Sequence, residues 1–110
     1  MTETIAIRKK VAALCGFTDI NWYSEPFHAL LKGFKFGLQV PIPKYDTSLD
    51  AITKVFDEHK LTWFLDSDGY AYHVKNGLKT EAYAKTPALA LCKLFIELME
   101  ANKKALLNNP

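Results

Sequence analysis

The stretch that decides the fold runs from Leu61 to Ala84 and reads LTWFLDSDGYAYHVKNGLKTEAYA. Aromatic and other β-favouring residues are concentrated in three short segments of it: 61–66, 70–75 and 78–84. An Asp-Gly and an Asn-Gly dipeptide separate these segments, and both are typical of tight turns between antiparallel strands. The pattern therefore predicts a three-stranded antiparallel β-meander.

The lengths of the turns decide which side chains of the meander share a face. A two-residue turn at Asn76-Gly77 places Tyr70 opposite Tyr83. A two- or four-residue loop after the first strand then puts Trp63 on the face of these tyrosines, whereas a three-residue loop turns that strand over. On the first alternative, one face carries Leu61, Trp63, Leu65, Tyr70, Tyr72, Val74 and Tyr83. We expect Trp63 on this face to be buried against the last helix.

Helical periodicity on both sides of the meander predicts three helices, at about 2–15, 47–60 and 87–102. Gly16 can end the first, and Thr47 with Asp50 has the spacing of a helix cap. Thr86-Pro87 is a cap followed by a proline in the first turn. The prediction is an α+β fold, a single domain over 1–110, in which helices cover the meander as in an α/β/α sandwich.

The segment between the first two helices leaves two alternatives open. Ser24-Glu25-Pro26 resembles a helix start, with an apolar face that would lead into a short helix ending near Gly33. The alternation in 34–36 favours a strand instead. Beyond it, prolines at positions 41 and 43 predict an extended connector over 37–45 rather than a central strand.

Composition places the chain among soluble globular domains, with 49% hydrophobic and 24% charged residues among 110. The net charge of +2 is too small to indicate a nucleic-acid or membrane partner. No apolar stretch reaches the roughly 20 residues that span a bilayer, and the first ten residues lack the pattern of a secretory signal. Cys15 and Cys92 lie in apolar helical stripes, which predicts free thiols and a cytoplasmic protein.

The residues do not form a recognisable catalytic or metal-binding pattern. His28, His59 and His73 fall on separate elements and have no cysteine or carboxylate at ligand spacing. Residues 66–69 lack the glycine and glutamate positions of a calcium loop, which favours a turn. Neither a phosphate-cradling glycine loop nor a nucleophile elbow is present. We therefore expect no enzyme activity, no cofactor and no metal.

The segment from Phe27 to Tyr45 is the strongest candidate for binding, because lysines and aromatic side chains alternate in it. Such a mixture can pair phosphates and stack bases, but three lysines do not make a basic patch, which argues against nucleic acid. We expect the lysines to project to solvent while Phe34 or Phe36 anchors the segment. The candidate binding residues, which include a histidine of the meander, are Lys32, Lys35, Lys44, Phe34, Phe36, Tyr45 and His73.

Three stretches carry a resemblance to a known family: IRKKVAALCGF at 7–17, VPIPKY at 40–45 leading into SLDA at 48–51, and AKTPALALC at 84–92. Together they resemble the phage ABA sandwich domain family, small proteins of phages and prophage regions. The chain departs from the family in having Phe17 where a tryptophan is expected, and in the segment 25–37. The resemblance implies a sheet covered by helices and a phage context, and it transfers no catalytic residue.

From these observations we expect a non-enzymatic phage or prophage accessory protein in the cytoplasm of a bacterial host. It would act by binding a host or phage protein, and its helix-covered sheet could form homo-oligomers. The alternative is a protein that binds or sequesters a small nucleotide-like ligand. Its pocket floor would be the other face of the meander, with His73, Phe64, Thr80 and Lys75.

Overall fold

The computed structural model describes residues 2–24, 29–66 and 69–108. Along this part of the chain, each of two groups of three strands lies between two helices. Their order is α1 (Thr2–Leu14), β1 (Thr18–Ser24), β2 (Ala29–Lys35), β3 (Leu38–Pro41), α2 (Leu49–Glu58), β4 (Phe64–Asp66), β5 (Tyr70–Lys75), β6 (Leu78–Tyr83) and α3 (Pro87–Asn108). The predicted α+β class, the three helices and the meander are confirmed.

The strands form two antiparallel three-stranded sheets, β1-β2-β3 and β4-β5-β6. The second is the predicted meander, and Tyr70 lies opposite Tyr83 as the two-residue turn requires. In the helix that follows the first sheet, the Ser48 hydroxyl accepts a hydrogen bond from the backbone N–H of Ala51. The start of α2 is thus capped by Ser48 rather than by Thr47.

The sequence prediction missed the first sheet. The region from Ala29 onward is strand β2, so the helix ending near Gly33 is wrong there, and its residues 25–28 lie outside the described residues. Strand β3 forms in the predicted connector, and Pro41 stands at its end, on the edge of the sheet, where proline is tolerated. Phe36 and Gly37 join β2 to β3 with φ of 55° and 78°. Phenylalanine at positive φ is uncommon, so these two residues do not resemble a favoured hairpin turn, although the alternation in 34–36 correctly favoured a strand at residues 34 and 35.

The core is organised around α3, which packs against α1, α2, β5 and β6. Phe95, Leu91 and Leu94 of this helix are fully buried. The Phe95 ring meets that of Phe56 from α2 edge to face, with centroids 5.8 Å apart. Burial of this broad apolar stripe fixes the helices to the meander, since removal of apolar surface from water is the main stabilising contribution in small domains.

The face of the meander that packs on α3 is not the predicted one. Three residues separate Asp66 from its partner Tyr70, and this odd number turns β4 over, so that Leu65 lies opposite Ala71. Ala71 and Ala82 are buried, 0% and 6% exposed, and their small side chains let the helix approach the sheet closely. The expectation of a buried tyrosine face is therefore wrong. Trp63 is only partly buried at the edge of the core.

The β4–β5 connection depends on a glycine because the backbone passes close to the end of β6. The Ala84 N–H donates a hydrogen bond of 2.8 Å to the Gly69 carbonyl. A Cβ atom on Gly69 would lie 2.0 Å from the Ala84 carbonyl oxygen, far inside van der Waals contact. Glycine at position 69 therefore permits a close backbone approach.

Candidate protein-binding face

The outer side of the meander carries a row of aromatic side chains. We call this surface the aromatic face, and it consists of Phe64, Tyr70, Tyr72, Val74, Lys79, Glu81 and Tyr83. Phe64 is 47% exposed and Tyr83 64% exposed. Within the described residues, no helix or strand covers this side of the sheet, because α3 packs against the opposite side.

The four rings form one continuous stack that crosses all three strands. Phe64 of β4 stacks on Tyr72 of β5 with ring centroids 5.0 Å apart and an angle of 13° between planes. Tyr72 stacks on Tyr70 at 5.5 Å, and Tyr70 on Tyr83 of β6 at 4.6 Å. The two inner rings therefore have an aromatic neighbour on each of two sides. Cross-strand aromatic pairs of this kind stabilise a sheet and hold its side chains in fixed positions.

The polar groups of the face are paired with one another. The Tyr70 hydroxyl donates a hydrogen bond of 2.5 Å to Glu81 Oε2, which also lies 3.6 Å from Lys79 Nζ. The ammonium of Lys79 stands 4.8 Å from the ring centroid of Tyr72. Hydrogen bonding to Glu81 raises the pKa of Tyr70 above its ordinary value. The result is a flat aromatic surface with little net charge.

The structure brings together part of the candidate binding residues of the Phe27–Tyr45 segment, since the Lys35 ammonium lies 5.7 Å from the centroid of the Phe36 ring. Phe36 is 92% exposed at the hairpin turn, so it does not anchor the segment, whereas Phe34 is half-buried. Lys32 and Lys35 are also half-buried, with their ammonium groups over the rings of Tyr23 and Phe17, and Lys44 is exposed. Tyr45 is buried and, together with Lys35, lines a cavity of about 350 Å³.

The structure brings together three of the four residues that were expected to form the alternative ligand pocket. His73, Lys75 and Thr80 line a cavity of about 240 Å³, which is smaller than most small-molecule sites, and Phe64 lies on the opposite face of the sheet. His73 itself is buried, and its Nδ1 donates a hydrogen bond of 2.8 Å to the carbonyl oxygen of Thr62. This histidine is therefore committed to a structural contact.

A larger cavity, which the sequence did not indicate, lies between the first half of α1 and the side chain of Trp22. Its volume is about 740 Å³, and Arg8, Lys9 and Asp46 are among its lining residues. Arg8 is already engaged there, with Nε 2.5 Å and Nη2 3.3 Å from the two carboxylate oxygens of Asp46. Trp22 is 47% exposed. The cavity thus combines an apolar wall, an aromatic ring and one lysine.

Neither thiol forms a disulfide, but the two differ in exposure. Cys92 is fully buried and its thiol donates a hydrogen bond of 3.0 Å to the Tyr45 carbonyl, whereas Cys15 is half-buried. Burial raises the pKa of both thiols. Within the described ranges, no three His, Cys, Asp or Glu side chains are grouped closely enough to hold a metal ion. No helix in those ranges is long and apolar enough to cross a bilayer.

Comparison with known proteins gives a likeness in fold. No protein-family model matches the chain, and no curated protein is significantly similar to it. A solved structure of a phage protein from Bacillus cereus ATCC 14579 superposes with a TM-score of 0.59, covering 86% of this chain and 84% of that one. The two sequences are 17% identical. At that level the likeness concerns the fold alone, and the chain is similar in fold to that Bacillus phage protein.

Proposed function

We propose that this chain is a phage accessory protein that acts by binding another protein through the aromatic face, without catalysis. The observation that carries the proposal is the preorganised stack of four rings, whose outer rings are exposed and whose inner rings are half-buried: Phe64, Tyr72, Tyr70 and Tyr83. Solvent-exposed aromatic clusters of this kind mark interaction sites, and tyrosines dominate the energetics of protein interfaces. The resemblance to phage ABA sandwich domains and the fold of the Bacillus phage protein support the phage context.

The charges of the face favour a protein partner over a nucleic acid. Lys79 is accompanied by the carboxylates of Glu81 and Asp66, which point to the same side of the sheet. A phosphate backbone would need several unopposed cations. The inner rings, moreover, already stack on aromatic neighbours, so they offer little open ring surface to bases. We infer that the partner presents an apolar patch with hydroxyl or amide groups that the tyrosine hydroxyls can bond.

Site-specific photo-crosslinking in phage-infected host cells tests this proposal. A crosslinker in place of Tyr83 is expected to capture one specific protein. The same crosslinker in place of Phe36, an even more exposed aromatic residue at the hairpin turn of the other sheet, is not. Phe64→Ser should abolish the Tyr83 product because it opens the end of the aromatic stack. Equal labelling from both positions, or a product that survives Phe64→Ser in the folded variant, would refute binding through this face.

A second candidate function, binding of a nucleotide-like ligand, is favoured by the cavity beside Trp22. Its volume of about 740 Å³ lies within the usual range for small-molecule sites. Trp22 could stack on a base and Lys9 could pair with a phosphate. A nucleotide present at 100 times its dissociation constant should stabilise the fold by about 2.7 kcal/mol, as seen in a thermal shift, and Trp22→Ala should remove the shift. If a nucleotide and cyclic-nucleotide panel at millimolar concentration gives no shift, this candidate is eliminated.

A further inference from the structure

Strand β6 forms one edge of the meander, and its outward backbone groups are open. Lys75 and Leu78 flank a two-residue turn and so form a hydrogen-bonded pair, after which paired and outward residues alternate along the strand. The bond from the Ala84 N–H to the Gly69 carbonyl continues this alternation. The N–H and C=O groups of Lys79, Glu81 and Tyr83 therefore point away from β5. Within the described part of the chain, no strand pairs with this edge.

We propose that a second copy of this chain pairs with the β6 edge, antiparallel and with Thr80 opposite Thr80 of the other copy. In this register Lys79 of each copy lies directly opposite Glu81 of the other. Because the side chains of Lys79 and Glu81 share the aromatic face, each opposed pair comes within reach on the same side of the sheet. The same two residues carry the outward backbone groups, so each opposed pair also exchanges two backbone hydrogen bonds.

The charge pattern of β6 selects this register over its neighbours. In a twofold-symmetric antiparallel pair, residues that lie opposite each other have their side chains on the same face of the sheet. The registers next to the proposed one therefore have the twofold axis at residue 79 or at residue 81. An axis at residue 79 places two lysines opposite each other, and an axis at residue 81 places two glutamates opposite. Like charges in direct opposition destabilise a strand pair. Of these three registers, the one with its axis at Thr80 places each Lys79 opposite a Glu81, so both contacts are attractive.

Such a dimer would join two meanders into one continuous sheet and close an edge that is otherwise open to aggregation. The twofold axis stands perpendicular to the sheet, so the aromatic faces of both copies lie on the same side. The interface is short, and pairings of this size are weak unless the protein is concentrated. This inference goes beyond the proposed partner binding and does not depend on it, because it can be measured on the purified chain alone.

Sedimentation equilibrium on the purified chain, over a concentration series from micromolar to millimolar, tests the proposal. We expect a mass approaching twice the 12.5 kDa of one chain at the upper end. Lys79→Glu and Glu81→Lys each create two like-charge oppositions, so each should weaken the dimer by roughly tenfold or more. An equimolar mixture of the two variants restores both attractive pairs, and we expect it to form a heterodimer as tight as the wild-type dimer.

Two controls separate pairing from folding. Lys44→Glu makes the same charge change at an exposed site far from β6 in the sequence and should dimerise as the wild type does. Glu81→Pro removes an outward N–H, which an edge strand tolerates, so this variant should be folded by circular dichroism and monomeric by sedimentation equilibrium. A wild-type chain that stays monomeric at millimolar concentration overturns the proposal. So does a mixture of the two charge variants that fails to associate.

Discussion

Phe95→Ala is expected to lower the free energy of unfolding by about 3–5 kcal/mol, through lost burial and the cavity left behind. Phe95 is fully buried in the middle of α3, and its ring lies 5.8 Å from that of Phe56 and 5.1 Å from that of His59. These neighbours, on α2 and at its C-cap, hold the cavity open, because α2 cannot close on α3 without moving its own buried side chains. The total free energy of unfolding of such a domain is roughly 5–15 kcal/mol, so the variant should be close to unfolding.

Urea titration followed by circular dichroism measures the loss. Leu78→Ala is the matched control, since Leu78 is 76% exposed and its truncation should change stability by less than about 0.5 kcal/mol. A Phe95→Ala variant as stable as the control would show that α3 does not pack as described.

Arg8→Met is expected to cost about 3–5 kcal/mol because it leaves a buried carboxylate without its counter-charge. The Asp46 side chain is 1% exposed and that of Arg8 12% exposed, with 2.5 Å between Nε and Oδ1. The contact joins α1 to the connector before α2. Truncating one partner of a buried pair is more costly than replacing both, since an unpaired charge cannot be hydrated inside the protein.

The same helix supplies the control for this second change. Lys10 pairs with Glu100 at 2.5 Å, but both side chains are 53% exposed, so Lys10→Met should cost no more than about 1 kcal/mol. Adding Asp46→Asn to Arg8→Met should recover part of the loss in a double-mutant cycle. Equal costs for Arg8→Met and Lys10→Met would mean that the Arg8 pair is not effectively buried.

Local patterns in the sequence were sufficient for the three helices and for the meander. The β5–β6 register followed from Asn76-Gly77, because a two-residue turn leaves one pairing available. The first sheet was indicated only in part, by the alternation in 34–36 that overlaps the end of β2. Its hairpin turn uses Phe36 at positive φ, and its edge strand β3 ends at Pro41, a residue that favours a connector. In both cases tertiary pairing overrides the local preference.

The aromatic face was not predicted as such, because the faces of the meander were assigned with a loop of two or four residues after its first strand. The tyrosines of β5 and β6 were correctly grouped on one face, but Trp63 was placed on that face and expected to be buried against the last helix. The structure instead buries Ala71 and Ala82, since close approach of α3 requires small side chains. Hydrophobicity alone does not distinguish a core from an interaction surface. The register of β4 decides which of its side chains join each face, and it depends on the length of a connection that the residue types leave undetermined.

Which β4 side chains lie on each face of the sheet depends on whether this connection has an odd or an even number of residues. With three residues between Asp66 and Tyr70, Leu65 turns toward the helix and Phe64 joins the aromatic stack. Losing or gaining one residue there would exchange these roles, carrying a phenylalanine into the space shaped for leucine. Losing or gaining two would restore them. Over evolutionary time, relatives of this protein can therefore vary the length of this connection in pairs of residues, while single insertions and deletions disrupt the core and the aromatic face in the same event.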